Sequence, residues 1–213
     1  MLDRGNRRRE SDHMRRRTFI TALAASSAAP SFATCASSQR LRKKPIKITL
    51  LGTGTPAPVV KEVHAGDVIE ADGWKVTVGR ASHVQPQLEC LAFRLDSDEG
   101  SVCYSGDGGL SDDFVEFARG CEVLIQMNPH FSGTEPTASY RAAVGSHKDN
   151  ALIAKRAGVK TLVLTHFLAQ IDQPGVRERI VHEIQQEFGG RVIWGEDLMQ
   201  LTLEGSGLTG IGV

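Results

Sequence analysis

Tyr104-Ser105-Gly106-Asp107-Gly108-Gly109 is the stretch whose reading decides this fold. It follows the β-rich run Ser101-Val102-Cys103 and precedes a helix that Ser111 can cap. An acid placed on a glycine-lined turn at the end of a strand sits on a rigid base. Glycine permits backbone conformations that a Cβ forbids. Ligands of α/β sheets gather at the carboxyl ends of strands. Asp107 is therefore the first candidate, and other polar residues are judged by whether they converge on it.

Working outward, two modes of chain organisation meet at this turn. Before it the pattern is one of antiparallel hairpins. Asp67 to Val78 reads as a hairpin turning at Ala71-Asp72-Gly73, and Leu88 to Leu95 reads as a strand with a polar turn behind it. After it the period lengthens. A helix from Ser111 places Phe114, Phe117 and Ala118 on one face and ends at Gly120, and Glu122 to Ile125 is a short apolar strand. Met127 to Gly145 reads as a long irregular loop. A helix over Lys148–Ala157 is closed by Gly158, and the strand Thr161–Thr165 delivers His166. A third helix begins after Pro174 with Val176, Ile180, Ile184 and Phe188 inside, and Arg191–Trp194 and Met199–Leu203 close the sheet. Strand–helix–strand repeats of this kind imply parallel pairing, so the fold class is α/β. Upstream, Pro45 to Leu51 enters the core as a strand and Gly52-Thr53-Gly54-Thr55-Pro56 is a tight turn. No Gly-Lys-Ser/Thr follows it, so it is not a phosphate loop.

The 213 residues carry 25 basic and 25 acidic side chains, enough chain for one domain and no basic surplus for a nucleic-acid partner. Cys35, Cys90, Cys103 and Cys121 lack Cys-x-x-Cys spacing; Cys90 and Cys103 read as buried small hydrophobes. Residues 1–33 read as an address. Arg15-Arg16-Arg17-Thr18-Phe19-Ile20 leads into an alanine-rich apolar stretch, in the order of a twin-arginine signal. This predicts a periplasmic or secreted protein that engages the export machinery. Residues 34–44 are a polar linker, 45–204 the domain, and 205–213 a loose tail.

Four residues form the candidate constellation. Asp107 and His166 stand at strand ends of one sheet, His83 lies on the loop before a neighbouring strand, and His147 opens a helix. Imidazole and carboxylate suit zinc, iron or manganese. Taken singly, each has a structural alternative: a strand-end histidine can bond to backbone, and Asp107 could cap the helix at Ser111.

In order and local wording these segments resemble the metallo-β-lactamase fold superfamily, on the branch of ribonuclease Z and arylsulfatase-like hydrolases. Leu50 to Pro56 resembles that branch's opening strand and turn, and Ser82-His83 its third histidine ligand segment. Tyr104-Ser105-Gly106-Asp107 resembles the segment with a metal-bridging aspartate. His147, ahead of Ala154 to Lys160, resembles a histidine assisting catalysis, and Leu162 to Phe167 the last ligand segment. The resemblance implies an αββα sandwich and a metal-dependent hydrolase of a small ester, sulfate ester or phosphodiester. It implies His83, Asp107 and His166 as metal ligands and His147 with Asp107 as catalytic residues. The family's His-x-His-x-Asp-His signature is absent from this chain; the interval where it belongs is only Ala57 to Gly66. The expected domain is thus truncated in its N-terminal half and holds one zinc rather than two, or none. Its exposed sheet surface favours homodimerisation. An inactive remnant or exported binding module is the competing expectation, and transfer-RNA processing a lesser one.

Overall fold

The computed structural model describes residues 46–49, 62–84, 86–205 and 207–212. The signal-like segment, the linker and the Gly52–Pro56 turn lie outside the described residues.

Strand β2 (Val68–Ala71) and β3 (Trp74–Arg80) form the expected hairpin; Ala71 pairs with Trp74 across Asp72-Gly73, and Gly73 has the φ of +83° that such a two-residue turn demands. Strands β4 (Leu91–Ser97) and β5 (Gly100–Tyr104) continue the antiparallel run. From β5 the pairing turns parallel through β6 (Val123–Met127), β7 (Thr161–Thr165) and β8 (Arg191–Trp194). The seven strands lie in chain order, β2 to β8. A second sheet has the order β1-β9-β10, where β1 is Ile46–Thr49, β9 Gln200–Glu204 and β10 Gly207–Gly212.

The central parallel strands β6 and β7 are buried on both faces, and their alternation sorts side chains between two cores. On one face Leu124, Leu162 and Leu164 meet Phe114, Ile153, Ile180 and Ile184. These come from α1 (Asp112–Phe117), α3 (His147–Ala157) and α4 (Val176–Phe188). On the other face Val123, Ile125 and Val163 meet Leu201 and Leu203 of β9. Burying each such side chain contributes roughly 1.5–3 kcal/mol. This is the layered α/β sandwich the resemblance implies.

Four details differ from the sequence reading. Leu88 is 63% exposed, because β4 starts only at Leu91. The supposed loop Met127–Gly145 contains a helix, α2 (Ala138–Val144), capped by Thr137; Pro129, Gly133 and Pro136 just before it mask its short period. Met199–Leu203 does not close the main sheet but supplies β9, which crosses to the second layer. The tail beyond Gly205 is not loose: β10 pairs antiparallel with β9.

Candidate functional site

The Asp107 turn is clamped by backbone on several sides. Ser105 N–H donates to Ile125 O at 3.1 Å, extending the β5–β6 ladder beyond Tyr104, and Gly109 N–H donates to Ser82 O at 2.8 Å. The buried Gln126 amide donates to Gly108 O at 2.6 Å from the strand beneath. Gly106 has φ +59°, and a Cβ there would stand 2.6 Å from Leu91 O. The glycines thus bring the chain close enough to β4 for Asp107 to project from the rim.

At the next strand end but one, His166 follows β7 with φ +57°. A left-handed backbone costs a non-glycine residue roughly 1–2 kcal/mol, and such strain collects at functional sites. His166 Nδ1 lies 3.9 Å from Asp107 Oδ1, with both side chains about half exposed. That gap is too long for a hydrogen bond. An exposed charge pair at this distance is worth about 0–1 kcal/mol. Their mutual attraction therefore does not place them; the fixed backbone turns do. Two donors on one zinc, each about 2.1 Å away at a tetrahedral angle, stand roughly 3.4 Å apart. The donor set fits a divalent ion after a half-ångström adjustment.

His83 does not complete that set. The loop carrying it is tied to the Asp107 turn through Ser82, and its Nδ1–H donates to Ala143 O of α2 at 3.0 Å. This leaves the lone pair on Nε2, the tautomer that metals bind. Yet among the described residues no three His, Cys, Asp or Glu side chains stand close enough to share a metal ion. Of the three residues expected to share an ion, Asp107 and His166 stand side by side at the rim. His83 does not join them as a third donor among the described residues.

His147 is likewise elsewhere. It is fully buried; Ser132 N–H donates to its Nδ1 at 3.0 Å, and its Nε2 meets Glu183 Oε2 at 2.9 Å. An acceptor Nδ1 requires the proton on Nε2, so the ring is neutral and donates to Glu183. Burial holds its pKa below the ordinary histidine value, opposed by Glu183. The His147 hydrogen bond, helped by that of Arg179, pulls the Glu183 carboxyl down to about 2. A proton donor to a leaving group needs an N–H directed at substrate. The Nε2–H of His147 is directed at Glu183 and its Nδ1 accepts from Ser132, so both ring nitrogens are spent within the protein in this structure.

Sequence reading missed Glu183 as the partner of His147. The Arg179–Glu183 spacing on α4 was visible as an i,i+4 pair, but no local signal links Glu183 to a helix earlier in the chain. It also missed the amide cluster under the rim, where Asn150 Nδ2 donates to Met127 O at 2.8 Å and Asn128 Oδ1 at 2.9 Å. Polar residues interrupting an apolar strand, Gln126 and Asn128, were its signal. His64 pairs with Glu89 at the surface, and His182 is exposed on α4. Cys103 and Cys121 are buried, which raises both thiol pKa values, that of Cys121 to about 12.

No family model matches the chain. Among individual proteins it is 32% identical over 150 residues to a ribonuclease Z of Mycobacterium tuberculosis, covering 68% of this chain and 54% of that protein. It is 27% identical over 151 residues to the ribonuclease Z of Bacillus velezensis, covering 71% and 45%. The chain thus spans about half the length of the relatives it matches. Among solved structures, a metallo-β-lactamase fold protein from Bacillus subtilis, YhfI, superposes with TM-score 0.55 at 22% identity over 66% of this chain and 54% of its own. A metallo hydrolase from Ignicoccus hospitalis superposes with TM-score 0.50 at 14% identity, over 67% and 60%. At these identities the superpositions speak for the fold.

Proposed function

The chain belongs to the metallo-β-lactamase fold superfamily, on its ribonuclease Z side, and on that footing we propose that it is a metal-dependent phosphodiester or ester hydrolase with a reduced metal centre. The observation that carries this reading is the Asp107–His166 pair, 3.9 Å apart on a rim that backbone strain and glycine packing hold in place. Asp107 and His166 would hold one divalent ion, zinc or, with the same carboxylate and imidazole donors, manganese or iron. Such an ion supplies charge that polarises an ester and acidifies a water. The chain's own residues do the rest. Asp107 sets the direction of approach through its fixed turn, His166 opposes it across the site, and the His147–Glu183 pair anchors the loop behind them.

The relatives' name, ribonuclease Z, favours a phosphodiester as the scissile bond. The expectation that no nucleic acid binds rests on the balanced charge of 25 basic and 25 acidic residues, which suits a small phosphodiester better than a polynucleotide. A second reading, a catalytically inactive binding module, is favoured by the lack of a third ligand among the described residues. Hydrolysis of bis-nitrophenyl phosphate, aryl esters and aryl sulfates in the presence of zinc or manganese separates the two. Turnover abolished by Asp107→Asn supports the hydrolase. No turnover of any of them, with metal bound, leaves the inactive module. We also propose export, carried by Arg15-Arg16-Arg17 and the apolar stretch after it. A reporter active only outside the cytoplasm, fused to residues 1–44, should lose its signal when the three arginines become lysine; an unchanged signal overturns export.

A further inference from the structure

A cavity of about 490 Å³ opens between the loop after β6 and the start of α4, lined by His130, Phe131, Ile171, Val176 and Arg179 among others. Its volume falls in the range of small-molecule sites. It opens at the same end of the parallel sheet as His166, since both walls are loops that leave the carboxyl ends of β6 and β7. Neither the metal pair nor the His147 anchor uses this space.

Its walls are mostly apolar, with the Arg179 guanidinium set among them. Arg179 spends only Nε on Glu183, at 2.7 Å. Its two terminal nitrogens have no hydrogen-bond partner among the described residues. The guanidinium lies 4.6 Å over the Phe131 ring centroid, and its side chain, 66% exposed, stands at the cavity mouth. A planar fork with both outer N–H groups unspent is the geometry that grips a carboxylate or phosphate. Glu183 does not compete for them, because its second oxygen is taken by His147. His130 Nε2 is buried without a hydrogen-bond partner among the described residues and is shielded from solvent as the ring stands, so it is not counted as a ligand donor. The ring itself is held edge-on against Tyr140 at 5.1 Å between centroids, so this nitrogen cannot swing out to water without breaking that contact. The amino end of α4, at Gly175 and Val176, adds the positive end of a 13-residue helix, although Glu178 already accepts from Gly175 N–H.

We propose that this cavity binds an organic anion, a compact apolar body carrying one carboxylate or phosphate. Phe131, Ile171 and Val176 hold the body, while the outer nitrogens of Arg179 hold the oxyanion. The site needs no metal, so its test is independent of the hydrolase reading.

The experiment is calorimetric titration of the full chain in excess chelator with 1-naphthyl phosphate, 1-naphthoate and inorganic phosphate. At least one naphthyl anion binds saturably, and inorganic phosphate binds at least tenfold more weakly. Whichever naphthyl anion binds tighter names the oxyanion. Arg179→Lys, which keeps the charge near Glu183 but removes the fork, weakens binding at least tenfold. Val176→Trp, which pushes an indole into the apolar wall and leaves every polar group intact, abolishes it. Asp107→Asn leaves it unchanged. If Arg179→Lys alters the circular dichroism of the fold, Val176→Trp decides alone. The proposal is overturned by the absence of saturable binding of either naphthyl anion, by phosphate binding as tightly as they do, or by binding that survives Val176→Trp.

Discussion

Replacing Gly106 by alanine tests the claim that the Asp107 turn is sterically locked. Two costs add. The left-handed φ of +59° costs alanine roughly 1–2 kcal/mol. The new Cβ would also stand 2.6 Å from Leu91 O, a backbone atom that cannot rotate away. Leu91 is paired with Arg80 in the sheet, so relief requires shifting β4 against β3. Overpacking of this kind costs about 1–3 kcal/mol. The sum, about 2–5 kcal/mol, lowers the thermal midpoint by roughly 4–20 °C at the 2–4 °C per kcal/mol usual for this chain length. Gly120→Ala is the control. Gly120 shares the left-handed backbone, φ +68°, but nothing lies within 4 Å of its Cβ position. It should show only the conformational part, a drop of roughly 2–8 °C. Thermal melts followed by far-UV circular dichroism read both. Equal losses in the two variants would refute the close approach of the turn to β4.

Acid sensitivity follows from the His147–Glu183 pair. Both groups sit below their ordinary values, His147 below 6.5 and Glu183 near 2 instead of 4.5. The unfolded chain therefore takes up protons first as pH falls, and stability drops with falling pH. The loss begins below about 6.5 and continues from about 4.5 toward 2. Glu183→Gln should flatten the lower limb; superposed limbs in urea titrations would show that the carboxylate is not held. Gln126→Leu leaves Gly108 O buried without its donor and should cost about 1–3 kcal/mol in urea unfolding; a loss below a few tenths would mean that Gln126 does not support the turn. In a Cys35→Ser background, a thiol reagent should modify Cys90 in the native protein and reach the buried Cys103 and Cys121 only on unfolding. Rapid native labelling at three sites contradicts their burial.

Much of this architecture could be read from residue pattern. The Asp72-Gly73 turn, the Ser111 cap, the buried stripe of α4 and the strand that ends at His166 all follow from local chemistry, and each is where its pattern put it. What escaped depends on contacts between distant segments. Gln200–Glu204 alternates like any strand, and only its burial against Val123 and Val163 assigns it to the second layer. A glycine-rich tail reads as loose because its composition cannot reveal that β9 offers it an open edge. At the rim Asp107 and His166 come within 3.9 Å of each other, while His83, expected beside them, does not join them. Ligand identity is a property of residue type, whereas coordination is a property of side-chain direction, and α2, which takes the bond from His83, was itself missed. His147 was marked as chemical because its segment, ahead of Ala154 to Lys160, resembles one carrying a histidine that assists catalysis. Its burial against Glu183 depends on the packing of α3 on α4, which no window of sequence contains.

Isothermal titration of the chelator-stripped chain with zinc, run in parallel on Asp107→Asn and His166→Gln, probes the metal foothold itself. Two side chains held 3.9 Å apart by strained backbone should take up one equivalent weakly, and each single replacement should abolish that uptake. Uptake that persists undiminished in both variants, or none at all in the unaltered protein, contradicts a metal centre at this rim.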